Sequence, residues 1–212
     1  MDTKKAYDTW SKQYDTDNNK TRDLEAQALR LTLAGVPFNN CLEIGCGTGK
    51  NTEWLVTKAK QIIAVDLSKE MLAVAKEKIK SDKVDFKQAD ITHSWTFVNE
   101  PFDLVTFSLV LEHIENLDDI FREVSNALVP GGYVYIGELH PFKQYIGSKA
   151  RFETEEGLQI LKCFNHNISD FIQGAGNYNL KILDINEYFD DNDRTTMPRI
   201  LTLLLIKINE ML

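Results

Sequence analysis

Cys41-Leu-Glu-Ile-Gly-Cys-Gly-Thr-Gly-Lys50 is a short apolar run that breaks into glycines at positions 45, 47 and 49. It reads as a buried strand, then a tight turn, then the start of a helix. In a parallel α/β sheet, ligands bind at such a place, outside the carboxyl ends of the strands. Glycines let the chain turn left-handed there and leave bare main chain for a ligand to approach. Spacing excludes two phosphate-binding signatures. A dinucleotide fingerprint counted from Gly45 needs a small residue where Lys50 stands. A P-loop needs a glycine five positions ahead of Gly-Lys and a hydroxyl residue after it, and Ile44 and Asn51 hold those places.

Outward from the turn, strands that end in acids recur. Gln61-Ile-Ile-Ala-Val-Asp66-Leu67 places a carboxylate 21 residues beyond Gly45, with Met71 close behind. Val84-Asp-Phe-Lys-Gln-Ala-Asp90-Ile91 places a second. Phe102-Asp-Leu-Val-Thr-Phe-Ser108-Leu-Val-Leu-Glu-His113 reads as a fourth strand and its loop, and Leu128-Val-Pro-Gly-Gly-Tyr-Val-Tyr-Ile136 as a helix stop and a fifth strand. Strands are expected near 41–45, 61–66, 84–88, 103–108 and 132–138, with helical segments between them. Apolar residues at 117, 120, 121, 124, 127 and 128 match a 3.6-residue period, and Asn116 can cap that helix. The first 35 residues read as two helices around a polar break, Asp15-Thr-Asp-Asn-Asn-Lys20. Two late strands are expected over 180–188 and 200–208. The weak alternation of Leu201-Thr-Leu-Leu-Leu-Ile206 suits a strand covered on both faces.

Glu43-x-Gly45-x-Gly47-x-Gly49 and the four segments after it resemble the class I S-adenosylmethionine-dependent methyltransferases, and the resemblance runs over most of the chain. It implies an α/β fold: a Rossmann-like, doubly wound seven-stranded sheet, mostly parallel with an antiparallel C-terminal strand, with helices on both faces. It implies S-adenosyl-L-methionine as cofactor, with Asp66 on the ribose hydroxyls and Asp90 and Ile91 around the adenine. Tyr14, Glu43, Gly45, Cys46, Gly47, Leu67, Met71 and Ser108 complete the candidate cofactor residues. The residue chemistry agrees, since this ligand carries a sulfonium, an ammonium, a carboxylate, a ribose diol and a flat base. Backbone N–H groups, scattered carboxylates and an apolar slot suit it better than a cluster of Lys and Arg.

With 212 residues and 43% hydrophobic content, the chain reads as a single domain over 1–212, with residues 1–35 as a helical cap. Acids outnumber Lys and Arg by 32 to 24, a net charge of −8, which disfavours nucleic acid as a partner. No apolar stretch reaches the ~18 residues of a membrane span, and the charged start does not read as a signal peptide. A cytoplasmic protein with no membrane contact is expected. Three cysteines without paired spacing read as reduced thiols, and no metal site is expected.

The methyl acceptor leaves a fainter trace. Residues 138–170 are too long for a plain βα loop and carry aromatics at 142, 145, 152 and 164. They are read as a lid or wall over the acceptor, together with Tyr7, Trp10 and Tyr14. Methyl transfer to an alcohol or phenol needs a base, and His113, His140 and His166 are the candidates. His140 follows Glu138 by two residues, so both could face one cavity. Enzymes that methylate exocyclic amines of bases place Pro-Pro after the fourth strand, where this chain has Ser108-Leu-Val-Leu-Glu. A small organic acceptor is favoured, methylated on oxygen ahead of nitrogen, by resemblance to enzymes of biotin and quinone biosynthesis. The alternatives are an RNA or protein methyltransferase and a cofactor-binding module without turnover. Oligomeric state is not legible.

Overall fold

The computed structural model describes residues 2–154 and 157–209. The chain opens with α1 (Thr3–Trp10) and α2 (Lys20–Thr32). An alternating stretch follows: β1 (Asn40–Ile44), α3 (Thr52–Leu55), β2 (Gln61–Asp66), α4 (Lys69–Lys78) and β3 (Val84–Gln88). Next come β4 (Phe102–Ser108), a 3-10 turn (Leu111–His113), α5 (Leu117–Ala127) and β5 (Leu128–Leu139). Then α6 (Pro141–Tyr145) leads into a hairpin of β6 (Arg151–Thr154) and β7 (Gly157–Ile160). The chain closes with α7 (Ile168–Gly176), β8 (Leu180–Tyr188) and β9 (Ile200–Lys207).

Seven strands form one sheet in the order β3-β2-β1-β4-β5-β9-β8, and β6 and β7 pair separately. Neighbours from β3 to β5 run parallel, while β9 is antiparallel to both β5 and β8. The Rossmann-like sheet expected from the sequence is therefore present, with β9 as its antiparallel strand. The strand order reverses between β1 and β4. Loops leaving the carboxyl ends of these two strands diverge and open a crevice there.

Apolar side chains close both faces of the sheet. Leu42, Ile44, Val105 and Phe107 point to the side where α5 and α7 bury Ile120, Phe121, Val124 and Phe171. On the other side, Cys41, Ile62, Leu104 and Tyr135 meet Leu29, Leu55 and Leu72 from α2, α3 and α4. Helix α5 shows how sequence makes such a layer. Leu117, Ile120, Phe121, Val124 and Ala127 are its buried residues, spaced at three and four. The Asn116 side chain accepts the Asp118 N–H at 3.0 Å, and Asp118 and Asp119 favour the positive end of the helix dipole.

One boundary differs from the sequence reading. Strand β5 begins at Leu128, four residues before the expected 132, because Leu128 already pairs with Phe102. A register shift between Phe102 and Leu104 absorbs Pro130-Gly131-Gly132 as an irregularity within the pairing. The 138–170 segment, described except for residues 155 and 156, is no plain excursion: it contains α6 and the β6–β7 hairpin.

Candidate functional site

The crevice at the reversal of strand order holds a cavity of about 280 Å³. Its walls come from the ends of four strands and the loops beyond them. They include Ile44, Gly45 and Gly47 after β1, Val65, Asp66 and Leu67 at β2, and Asp90, Ile91 and Thr92 after β3. Ser108, Leu109, Val110, His113 and Ile114 enter from β4 and its loop, and Met71 from α4. The N-terminal segment closes the remaining side with Asp2, Thr3, Lys4, Tyr7 and Tyr14. Asp2, Asp66 and Asp90 face a single lysine on this wall, a charge balance that suits a cationic ligand better than a phosphate.

The glycine turn explains how a ligand can lie here. Gly45 has φ +70, and a Cβ on it would sit 2.2 Å from Val110 Cγ2. No side chain fits between the turn and the β4 loop. Gly47, at φ +52, has nothing within 4 Å of its Cβ direction and borders the cavity directly. Asp66 ties the turn to β2: Gly47 N–H donates to Oδ2 and Ser68 N–H to Oδ1, each at 2.8 Å. Burial pushes the Asp66 carboxyl up to about 6, against these two bonds that favour the charged form. It is thus ionised at neutral pH and ready to accept from a diol.

Beneath the cavity lies a layer of buried acids. The Glu25 carboxylate accepts from Tyr135 Oη at 3.0 Å and from Asn51 Nδ2 at 2.9 Å, and Asn51 Nδ2 also reaches Ser108 Oγ at 3.1 Å. This connects a cavity residue to α2. Burial raises Glu25 to about 7. Glu138 accepts the N–H groups of Val110 and Leu111 at 2.9 and 2.8 Å. It thereby holds the 3-10 turn and supports Leu109, whose φ of +57 is unusual for a residue with a Cβ. Burial raises Glu138 to about 8, with Glu112 nearby adding to the effect.

A second cavity of about 570 Å³ adjoins the first and shares Tyr7, Tyr14 and Leu109 with it. Its walls come from the α1–α2 connector, from Glu112 and Leu139, and from the hairpin residues Ala150, Arg151, Phe152 and Glu153. The hairpin meets α1 through Trp10 and Phe152, stacked at 4.9 Å and 10°, and through Gln13 Nε2 donating to the Glu153 carbonyl at 2.8 Å. Two further bonds fasten this cap to the sheet side. Ser68 Oγ donates to Asp8 Oδ1 and Thr48 Oγ1 to Asp15 Oδ1, both at 2.6 Å.

The structure brings Tyr14, Gly45, Gly47, Asp66, Leu67, Met71, Asp90, Ile91, Ser108 and His113 to the first cavity. Four candidates stand elsewhere. Glu43 points to the opposite face of β1 from Ile44 and accepts Thr52 Oγ1 at 2.6 Å; burial raises it to about 8. Cys46 is buried in the core, where Leu55 and Leu72 also lie. His140 is fully buried, with Nδ1 accepting the Phe142 N–H at 3.2 Å and Nε2 donating to Glu187 at 3.0 Å. It caps α6, and neither it nor Glu138 lines either of the two cavities. His166 donates from Nε2 to the Ile114 carbonyl at 2.7 Å and packs edge-on against Phe171.

His113 is also engaged. Its Nδ1 lies 3.2 Å from the Lys162 carbonyl, which can only accept, so Nε2 accepts from Tyr7 Oη at 2.8 Å. The sequence reading missed Val65, Ala89, Thr92, Val110 and Ile114 as lining residues. All neighbour a residue that it named, so extending each strand end by one or two positions finds them. Glu112, beside His113, falls within the same reach, while Glu25 had no such signal.

A parallel sheet with a glycine turn at its reversal point and an acid at the next strand tip defines the nucleoside-binding class of α/β proteins. Residues 42–136 match the family model described as a methyltransferase domain. A ubiquinone biosynthesis O-methyltransferase of Dechloromonas aromatica is 29% identical over 146 residues, covering 68% of this chain and 61% of that protein. Nodulation protein S of Sinorhizobium fredii is 30% identical over 120 residues, 55% of each chain. Among solved structures, the N-methyltransferase NodS of Bradyrhizobium japonicum, in complex with S-adenosyl-L-homocysteine, aligns with a TM-score of 0.74 at 20% identity. That alignment covers 99% of this chain and 100% of NodS. Over the stretch that carries the glycine turn and Asp66 the chain is thus similar to S-adenosylmethionine-dependent methyltransferases, whose fold it shares. It spans about 61% of the length of the quinone-pathway relative.

Proposed function

We propose that this protein transfers the methyl group of S-adenosyl-L-methionine to a small organic acceptor, on oxygen in preference to nitrogen. The observation that carries the reading is the pair of adjoining cavities with Tyr7, Tyr14 and Leu109 as their common wall. One has the chemistry of a nucleoside site and the other is free to take a second molecule. When bound, the cofactor supplies a methyl carbon already activated by sulfonium. The protein then has mainly to align and to exclude water.

The residues divide accordingly. Asp66 accepts from the ribose hydroxyls, and Asp90, Ile91, Leu67 and Met71 frame the base. Gly45 and Gly47 give main-chain approach to the amino-acid end, with Ser108 and Tyr14 beside it. Residues 1–35 and 138–170 act as the acceptor-side cap and wall, joined by Trp10 and Phe152. His113 orients the Tyr7 hydroxyl at the junction. The preference for oxygen follows the quinone-pathway relative, aligned over more of this chain than nodulation protein S. No helix among the described residues is long and apolar enough to cross a membrane. That agrees with an acceptor reached from water.

The test is thermal unfolding with S-adenosylhomocysteine, for the wild type and for Asp66→Ala, followed by turnover against phenols, carboxylic acids and amines. Ligand at 100 times its dissociation constant stabilises by about 2.7 kcal/mol, a rise of roughly 5–11 °C for a domain of this size. No shift in folded wild-type protein would end the cofactor reading. A shift without turnover on any oxygen acceptor, but with turnover on an amine, would reverse the preference.

A further inference from the structure

We propose that Glu112 is the catalytic residue on the acceptor side: its carboxylate binds the hydroxyl or amine to be methylated and takes its proton. This rests on the methyl-transfer reading above. Glu112 lines the second cavity, yet its side chain is only 5% exposed. Its Oε2 has no hydrogen-bond partner among the described residues. A buried carboxylate oxygen left unpaired is costly, and native proteins rarely keep one without a use.

The surroundings sharpen the point. The groups that act on Glu112 are the His113 ring, the Cys163 thiol, Glu138 and the Tyr7 phenol. None of these is a lysine or arginine; the His113 ring and a hydrogen bond with the Cys163 thiol are what favour the charged form, and an incoming O–H or N–H would add to them. Burial raises the Glu112 carboxyl above its ordinary range, toward the pH at which a carboxylate works as a base. Its position also fits. On the turn Leu111–His113, Glu112 is among the residues lining the second cavity and the adjacent His113 among those lining the first. Glu138 holds that turn by its backbone N–H groups. The two neighbours thus stand one at each of the two adjoining cavities.

The step balances without further reagents. A lone pair on the acceptor oxygen or nitrogen forms the bond to the methyl carbon. The carbon–sulfur bond breaks and its electrons return to sulfur, leaving a neutral thioether. The acceptor's proton passes to Glu112, which releases it to water when the product leaves.

The probe is sinefungin, the cofactor analogue whose amine stands where the transferable methyl would be. Its ammonium reports on a carboxylate at the transfer point without knowledge of the acceptor. Wild-type protein should bind sinefungin more tightly than S-adenosylhomocysteine, measured by calorimetry. Glu112→Gln should lose that preference by roughly tenfold or more, in line with breaking a buried charge pair, while its S-adenosylhomocysteine affinity stays unchanged. An unchanged preference in Glu112→Gln overturns the proposal. If that variant does not fold, the wild-type comparison decides, since sinefungin binding no tighter than S-adenosylhomocysteine overturns it too. Binding of neither ligand by folded wild type would defeat the methyl-transfer reading itself, and this proposal with it.

Discussion

The first cavity takes most of its walls from strand ends of a single sheet, with the N-terminal segment closing one side. The second is assembled from segments far apart in the chain, the α1–α2 connector, the turn after β4 and the β6–β7 hairpin. The hairpin meets α1 through one ring stack and one hydrogen bond, and the cap is tied to the sheet side through Asp8 and Asp15. A site on rigid elements is positioned by the fold itself. A site between detachable segments depends on their docking.

Substitutions can set the two halves against each other. The largest effect is expected from Gly45→Ala. It forces a Cβ into Val110 at a positive φ, which should lower stability by about 2–5 kcal/mol in urea unfolding and abolish S-adenosylhomocysteine binding. If that variant binds normally, the sheet-built half is less constrained than described. Next, Asp66→Ala removes the acceptor for the Gly47 and Ser68 N–H groups and should weaken S-adenosylhomocysteine binding by about 1.5–3 kcal/mol, as for a hydrogen bond to a charged group. Calorimetry measures it.

A smaller effect concerns pH. Glu43 is raised by burial to about 8 from its ordinary 4.5, so between those values the folded state holds a proton that the unfolded chain has lost. Stability from this group is full below about 4.5 and is lost as pH rises toward 8. Glu43→Gln should flatten that fall by on the order of 1 kcal/mol per pH unit, read as unfolding midpoints across pH 5 to 8. An unchanged slope would mean that Glu43 ionises normally. The smallest effect on the cofactor is expected from Phe152→Ala. It breaks the stack with Trp10 yet should move S-adenosylhomocysteine affinity by no more than about 0.5 kcal/mol, the range of a substitution away from the feature measured. A large change there would erase the distinction between the halves.

The same contrast governs what could be read from sequence. Strand ends announce themselves by apolar runs that stop at Asp66 or at Gly45, and period and capping placed α5 and β8 to within a residue. Glu43 looked like a ligand residue because it sits at a strand end. However, β-strand alternation turns it to the helix face and gives the cavity to Ile44. His140 and His166 lie in the right segment, but their rings spend their hydrogen bonds on Glu187 and on Ile114. Nothing local distinguishes such uses. Glu25 and Glu112 are ordinary acids in sequence, and only tertiary packing buries them. The Asp15–Lys20 break reads in sequence only as a polar interruption between two helices. Thr48 and Lys78, both distant in sequence, turn Asp15 into an anchor.

The Trp10–Phe152 clasp bears on how such proteins diverge. The stretch that matches the family model, residues 42–136, holds the glycine turn and Asp66 but neither partner of the clasp. Changes to the N-terminal helices or to the hairpin can therefore leave the stretch from β1 to β5 untouched.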